Sequence, residues 1–345
     1  MITQKEIARI LGISQMTVSA IMRNGELAKR YRPELREKVL KTAAQYGYCR
    51  NEIACAVRYR KRNVIGFVSQ ELGNGYSGVI LQGVIDAAAE HSFLVKIFSI
   101  NSSSTPGHNS LAETAANLAG QCIGQRLAGL ICFDVVFPEV VEIINRKLYD
   151  NGIPLLMAND QSYLAANSIG VYSDNAASGK LAFEHFHALG HRKFALLGGY
   201  RWTDKNRLLL KSFKQAAESA GIPPENVLDL IQDEDWDYHM YREPLLDIRP
   251  TAVFTTCDPV ALNTMTSLTA DGFKIPRDFA IMGVGNLAFS RVCRPGLTSL
   301  DENLYSIGYR SAELILAHGC NPVEEPYREL IRPSLVIRES TAAAE

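Results

Sequence analysis

The sequence is poor in the features that identify several common protein classes. Its seven cysteines are scattered, with no CxxC pair, which argues for free thiols rather than a zinc site or a disulfide framework. No apolar run approaches the roughly 20 residues that a membrane-spanning helix needs. The N-terminus also lacks the basic segment and apolar stretch of a secretion signal. We therefore expect a cytoplasmic protein that has no membrane partner.

Motifs of common enzymes are missing as well. The chain contains no GxSxG, HExxH or P-loop sequence. The run Gly283-Val284-Gly285 lacks the third spaced glycine of a dinucleotide-binding loop. We therefore expect no catalytic residue, no cofactor and no metal site.

Charge is distributed unevenly along the chain. Of the 345 residues, 36 are Lys or Arg and 37 are Asp or Glu, so the formal net charge is only −1. Residues 1–62 hold 14 basic against 5 acidic side chains, whereas the remaining 283 residues hold 22 against 32. A compact basic module binds nucleic acid by displacing counterions from phosphates, while an acidic body is repelled by that polyanion. The pattern indicates a nucleic-acid-binding head on a body that has another task.

The basic head carries a helix-turn-helix pattern. Thr3 and Glu6 form a capping box for a first helix that Gly12 ends, and Ser14 can cap a second helix over 15–22. The outward positions of this second helix have short or uncharged side chains, which suit an element lying in the major groove. These outward positions are Gln15, Met16, Thr17, Ser19 and Ala20.

Beyond residue 62, short apolar runs that indicate buried strands alternate with amphipathic helical stretches. The runs form one series at 64–68, 94–98, 130–133 and 155–158, and a second at 169–172, 194–197, 253–255 and 281–284. This alternation predicts two doubly wound α/β units. Ligands of such sheets bind outside the carboxyl ends of the strands, which here form a cleft between the two units.

Together these motifs resemble the lactose repressor family of bacterial transcription regulators along essentially the whole chain. The resemblance runs through Ile7-Ala8, Gly12-Ile13-Ser14, Thr17-Val18-Ser19, Tyr46-Gly47-Tyr48 and Asn51-Glu52-Ile53-Ala54. The run 16–19 and the glycine-rich turn at 283–285 are most similar to gluconate-type members.

The resemblance implies an all-α helix-turn-helix headpiece plus an α/β periplasmic-binding-protein-like core of two doubly wound parallel-sheet subdomains. The headpiece would cover residues 1–49 and a hinge helix or linker residues 50–62. The N-terminal subdomain would comprise 63–160 and 294–328, and the C-terminal subdomain 161–293 and 329–340. The three crossovers would then lie near Asp160, Arg294 and Arg328.

The resemblance also implies which residues contact DNA. They are Thr3, Ser14, Gln15, Met16, Thr17, Ser19 and Ala20 in the headpiece, and Asn51, Ala54, Val57 and Arg58 in the hinge. Sequence discrimination should depend on Gln15 and Met16, because an arginine that often reads guanine in this family is matched by Ala20. Val57 replaces a leucine that enters the minor groove, so the wedge would be smaller and the hinge helix weaker.

For the cleft, the resemblance implies a small-molecule effector. Its contacts would be Tyr76, Ser77, Asn159, Arg207, Trp236, Asp258 and Asn286. After the strand that ends near Gly283, where the family often has a pair of aspartates, this chain has the run 283–287 with Asn286 as a neutral substitute. Loss of the carboxylate permits an anionic or less hydroxylated ligand. We expect a sugar or a sugar acid.

The resemblance implies a homodimeric repressor that binds a near-palindromic double-stranded DNA operator. Effector binding would change the relation of the subdomains and so the affinity for DNA. Three alternatives stay open: a DNA-binding regulator without effector response, a soluble sugar-binding protein, and an enzyme on the same fold.

Overall fold

Residues near the N-terminus fold into a small helical unit. The computed structural model describes residues 2–22, 26–48, 62–100, 111–135, 137–159, 167–201, 203–233 and 238–341. The helices of the first unit, Met1–Lys61, are α1 (Gln4–Leu11), α2 (Gln15–Met22), α3 (Glu26–Lys29) and α4 (Pro33–Gln45). Apolar side chains of α1, α2 and α4, among them Ile7, Val18 and Val39, form its core. The predicted helix-turn-helix is confirmed, and α3 is an element that the sequence pattern did not reveal.

The second unit, Arg62–Glu345, contains two six-stranded sheets. The first sheet has the order β11-β5-β4-β3-β1-β2, with every pairing parallel. Its strands are β1 (Val64–Ser69), β2 (Leu94–Ser99), β3 (Gly129–Phe133), β4 (Leu155–Ala158), β5 (Ile169–Ser173) and β11 (Tyr327–Ile331). We call this sheet, with the helices on its faces, lobe 1.

The second sheet has the order β12-β10-β9-β8-β6-β7, in which only β12 is antiparallel among the described pairings. Its strands are β6 (Phe194–Gly198), β7 (Val227–Ile231), β8 (Ala252–Thr255), β9 (Ala280–Val284), β10 (Thr298–Asp301) and β12 (Ser334–Val336). We call this sheet, with its helices, lobe 2.

Helices cover both faces of each sheet, which leaves the central strands buried. Lobe 1 has α5 (Tyr76–Glu90), α6 (Leu111–Gly124), α7 (Pro138–Tyr149) and α12 (Leu304–Ala317). Lobe 2 has α8 (Asn175–Ala188), α9 (Asp204–Ser219), α10 (Tyr238–Ile248) and α11 (Asp258–Ala270), with short 3₁₀ turns at Pro224–Asn226 and Ala288–Arg291. All eight apolar runs predicted as strands are strands.

The expected subdomain boundaries are wrong in one respect. Strand β5 pairs with β4 in lobe 1, and β10 pairs with β9 in lobe 2, so the chain crosses between lobes after residues 173, 301 and 331. The first two crossovers therefore lie well beyond Asp160 and Arg294, whereas the third lies close to Arg328. An apolar run shows that a strand is buried, but its partner strand depends on distant chain segments, so periodicity alone does not assign it to a sheet.

Two other sequence-based expectations can be compared with the described residues. The five cysteines among them, Cys122, Cys132, Cys257, Cys293 and Cys320, are free thiols, as predicted. In this described part of the chain, no helix combines the length and the apolar character needed to cross a bilayer.

Candidate functional site

The start of the headpiece is organised by Thr3. Its backbone N–H donates to Oε2 of Glu6 over 2.8 Å, and the Glu6 N–H donates to Oγ1 of Thr3 over 3.3 Å. The backbone and side-chain hydrogen bonds from Thr3 lower the pKa of Glu6, so the carboxylate that completes the cap stays ionised. The predicted capping box is confirmed, and Thr3 has a folding role beside any contact with DNA.

The second helix, α2, exposes the side chains of Gln15 and Met16, which take no part in its N-terminal cap. Ser14 accepts a hydrogen bond from the Thr17 N–H (3.0 Å), and the two hydroxyls lie 2.9 Å apart. Gln15 is exposed, and Met16 is 79% exposed although it is apolar. A large apolar side chain held in water at the first turn of a helix is suited to contact a thymine methyl group or a base edge.

Ala20 does not belong to the outward face. It is only 9% exposed, and both α3 and α4 pack against α2. The expectation that Ala20 contacts DNA is therefore wrong. Ser19 is half-buried beside it, so the exposed part of α2 is its first turn.

Five of the expected contact residues lie outside the described residues. They are Asn51, Ala54, Val57 and Arg58 of the hinge and Trp236 of the cleft. Their roles stay predictions.

In the second unit, Tyr76 reaches from lobe 1 to lobe 2. Its hydroxyl donates to the Val284 carbonyl oxygen over 2.9 Å and accepts from the Asp258 N–H over 3.2 Å. Burial raises the pKa of Tyr76 well above its usual value, and nearby Cys257, Asp258 and Glu302 add to the shift. The phenol therefore stays protonated and able to donate. Tyr76 thus lies in the cleft, and its expected contact with an effector stays a prediction.

Next to Tyr76, Ser77 is fully buried and does not line the cleft. Its Oγ donates to the Glu71 carbonyl over 2.5 Å, and its N–H donates to Oδ1 of Asn74 over 3.0 Å. Ser77 thus shapes the loop that presents Tyr76. With no exposed surface it cannot touch a ligand in this arrangement, which corrects the expectation that it is a contact residue.

Asn159 ends β4 with a left-handed backbone, φ 59°, and its amide is already engaged. Its Oδ1 accepts from the Ser173 N–H (3.2 Å), and its Nδ2 donates to Oε1 of Glu302 (3.3 Å). Asn tolerates this backbone conformation better than most residues do. The site at the end of β4 is as expected, but its partner is a protein carboxylate.

Glu302 and Lys205 form the central ion pair of the cleft, and the sequence patterns indicated neither. Glu302 directly follows β10 and is fully buried, with the Lys205 ammonium 2.9 Å from its carboxylate. Burial alone lowers the pKa of Lys205, but the charge and hydrogen bond of Glu302 outweigh it and the pKa is raised. A polar residue directly after an apolar strand was the one available signal for Glu302.

Arg207, expected to hold the ligand, points elsewhere. Its side chain is 63% exposed and pairs with Asp204 one turn earlier on α9. Residues two apart on an α-helix project on nearly opposite sides, so the turn that directs Lys205 into the cleft directs Arg207 to solvent. The structure therefore does not bring Arg207 to the group around Glu302.

Asp258 has a structural role in lobe 2. Its Oδ2 accepts from the Leu287 N–H (2.8 Å) and the Ser290 hydroxyl (2.7 Å), and its Oδ1 accepts from the Ser299 hydroxyl (2.6 Å). Burial raises the pKa of this carboxyl, and these hydrogen bonds offset the effect only in part. Its side chain is fully buried, so the expectation of a side-chain contact with an effector is wrong.

Asn286 follows β9 and is held by two charged partners. Its Nδ2 donates to Oδ2 of Asp301 (2.9 Å), and its Oδ1 accepts from Arg338 (2.6 Å). Both ends of the amide are therefore used within lobe 2. Contact with a ligand would require one of these bonds to break.

Comparison with known proteins gives matches over the whole chain. Residues 183–341 match the family model of a periplasmic binding protein-like domain. The chain is 25% identical to the ribose operon repressor of Haemophilus influenzae over 99% of its length and 98% of that protein. It is similar to the lac repressor dimer bound to operator and the anti-inducer ONPF, with a TM-score of 0.80, 23% identity and 99% of each chain covered.

A further solved structure is similar to most of this chain. It is a LacI family transcriptional regulator from Enterococcus faecium with bound ribose, with a TM-score of 0.69, 24% identity, and 82% of this chain and 100% of that chain covered. These likenesses confirm the expected fold, a periplasmic-binding-protein-like core of two parallel-sheet α/β lobes together with a helical headpiece.

Proposed function

We propose that this protein is a DNA-binding transcriptional regulator of the lactose repressor family whose affinity for an operator is controlled by a small molecule in the cleft between its lobes. The observation that carries the proposal is the exposed first turn of α2, where Gln15 and Met16 extend from a basic helix-turn-helix unit. The body supplies a separate polar site at the carboxyl edges of two sheets.

The curated relatives support a regulator and not an enzyme. The ribose operon repressor of Haemophilus influenzae matches this chain from end to end, so the similarity includes the headpiece. A regulator that binds chromosomal DNA works in the cytoplasm, which is the location we propose.

Binding to DNA is tested with the full-length protein and duplex fragments of its genome. We expect affinity for selected fragments to fall steeply with salt, because each neutralised phosphate releases counterions. Genes beside the selected fragments would indicate the regulated process. Absence of any salt-sensitive binding to duplex DNA at low ionic strength would remove the proposal.

The effector that fits the cleft best is a neutral sugar. Lys205 is paired with Glu302, and the negative charge of Asp134 also acts on it, so the acidic groups around Lys205 disfavour a further anion. Hydroxyl groups can both donate to these carboxylates and accept from the ammonium. The two relatives whose names mention ribose point to the same class.

A thermal-shift panel of neutral sugars and sugar acids distinguishes these effectors. We expect stabilisation by a neutral sugar and none by sugar acids of the same chain length. Stabilisation by the acids alone would favour the gluconate-type assignment. A flat result over the whole panel would favour a regulator without effector response, the second candidate function.

A homodimer is the assembly we propose, with each headpiece on one half of a near-palindromic operator. The solved lac repressor that this chain resembles is a dimer. In lobe 1, the edge strand β2 exposes Leu94 (60%) and Ile97 (45%), an apolar edge suited to a second copy. Residues 1–49 as headpiece and 50–62 as hinge are part of this proposal.

A further inference from the structure

Glu302 joins the two lobes through a single carboxylate. From lobe 2, the Lys205 ammonium lies 2.9 Å away, and from lobe 1 the Asn159 amide donates over 3.3 Å. Glu302 itself is fully buried at the second crossover between the lobes. A carboxylate removed from water requires such partners, so this contact is specific rather than incidental.

Tyr76 forms a second bridge beside the first. Its hydroxyl is bonded to the Val284 carbonyl and the Asp258 N–H of lobe 2, while its backbone belongs to α5 of lobe 1. The Lys205 ammonium lies 5.7 Å from the centre of the Tyr76 ring, within range of a cation–π contact. Lys205 therefore contributes to both bridges.

Polar groups at the carboxyl edges of the two sheets are thus hydrogen-bonded to one another across the cleft. In a two-lobed receptor, a ligand closes the lobes by giving each of them a partner. Here the Glu302 carboxylate already gives Asn159 and Lys205 that partner.

We propose that Glu302 is a built-in substitute for an effector group, and that its pair with Lys205 holds the lobes closed when no ligand is bound. This inference rests on the proposed function, in which an effector changes the arrangement of the two lobes. An effector then acts by separating Lys205 from Glu302 and binding to one of these two side chains in place of the other.

The Lys205–Glu302 pair depends on opposite charges, and this dependence can be tested. Loss of either partner leaves a buried charge without compensation, whereas exchanging the two charges preserves the attraction. Besides Glu302, the charged or titratable groups that act most strongly on Lys205 are Cys257 and Asp134, and none of the three is a cation. Because the pair is buried, added salt weakens it little.

Closure has a direct reporter in the backbone. The N–H of Asp258 donates across the cleft to Tyr76, and the next residue is Pro259, which has no N–H of its own. Slow hydrogen exchange at the Asp258 amide therefore reports that the lobes are together. The measurement uses the full-length protein without DNA and without sugar.

We expect the Asp258 amide to be protected in the wild-type protein and to exchange at least tenfold faster in Lys205→Met and Glu302→Gln. The Lys205→Arg variant keeps the positive charge, so its Asp258 amide should remain protected. The double exchange Lys205→Glu with Glu302→Lys should return the rate to within about threefold of wild type, since the attraction is restored.

The matched control is Lys214→Met, which removes a Lys–carboxylate pair with Asp229 inside lobe 2. It should leave the Asp258 amide unchanged. The amides of β8 are followed in the same samples as a control for folding. A variant in which they lose protection is unfolded and is set aside. The proposal is then tested by the wild type, Lys205→Arg and the double exchange.

Three outcomes overturn the proposal. They are an unprotected Asp258 amide in the wild type, wild-type exchange rates at this amide in the folded single variants, or an exchange rate in the double variant as high as in the single variants. None of these measurements involves DNA. A failure of the Lys205–Glu302 pair to hold the lobes closed and a failure to bind DNA are therefore separate results.

Discussion

Gly285 of lobe 2 and Tyr76 of lobe 1 fit each other across the cleft, because a Cβ atom on Gly285 would lie 2.5 Å from the Tyr76 ring. Gly285 also has a φ of 124°, which side-chain-bearing residues rarely adopt. The lack of a side chain at Gly285 therefore makes room for the Tyr76 ring.

Gly285→Ala should disturb this fit. We expect the free energy of unfolding to fall by about 1–3 kcal/mol, from backbone strain and from displacement of the Tyr76 ring. The matched control is Gly272→Ala, where φ is 93° but no atom lies within 4 Å of the added carbon. Denaturant titration of both variants is the measurement, and equal losses would show that Tyr76 plays no part.

Gln15→Ala and Met16→Ala should change sequence preference without harming the fold. Both side chains are exposed, so the thermal midpoint should stay within about 2 °C of wild type. Discrimination at the contacted base pair should fall by about 1–3 kcal/mol. Titrations against single-base variants of a selected fragment measure this. If both changes weaken all fragments equally, the reading surface lies elsewhere.

Lys205, and not Arg207, should govern the response to a sugar. Lys205→Met is expected to change the thermal shift produced by any sugar that stabilises the wild type, because it removes the charge that faces the cleft. Arg207→Ala should leave that shift unchanged, since Arg207 is exposed and pairs with Asp204. The reverse result would return Arg207 to the site.

Asp229 should make the stability of lobe 2 depend on pH. Burial alone raises the pKa of its carboxyl, but hydrogen bonds from Arg201 and Lys214 outweigh it, so the pKa lies below the usual 3.8. A lowered pKa in the folded state means that the ionised form stabilises the fold above about pH 4, and that this contribution disappears as the pH falls further.

Asp229→Asn should therefore lower the free energy of unfolding at pH 7 by about 1 kcal/mol, since Lys214 and Arg201 are partly exposed. The difference from wild type should shrink progressively below pH 4 in denaturant titrations. A difference of the same size at pH 7 and pH 3 would contradict this origin.

Leu94→Lys should weaken self-association through the edge of β2. A charge on an exposed strand edge opposes pairing with a second copy. Sedimentation at micromolar concentration should show a shift from dimer towards monomer. Ile337→Lys, a change of the same kind at a 63% exposed site in lobe 2, should leave the dimer intact. Equal behaviour of the two variants would place the interface elsewhere.

The sequence by itself determined the local elements of this protein. Thr3 with Glu6 and the left-handed Gly12 begin and end α1, and the run 155–158 is a strand with the predicted bounds. Capping, turns and burial periodicity depend on side chains only a few residues apart, so a single sequence contains the whole signal. The split of charge between head and body is likewise a property of the sequence alone.

Only the tertiary structure decided how those elements are combined. It placed β5 in lobe 1 and β10 in lobe 2, buried Ala20, and joined Glu302 to partners 97 and 143 residues away. Such contacts depend on where sheets and helices dock, and any buried strand can pair with several others without changing its own pattern. A charged residue at a strand end therefore shows its partner only when the two lobes are folded together.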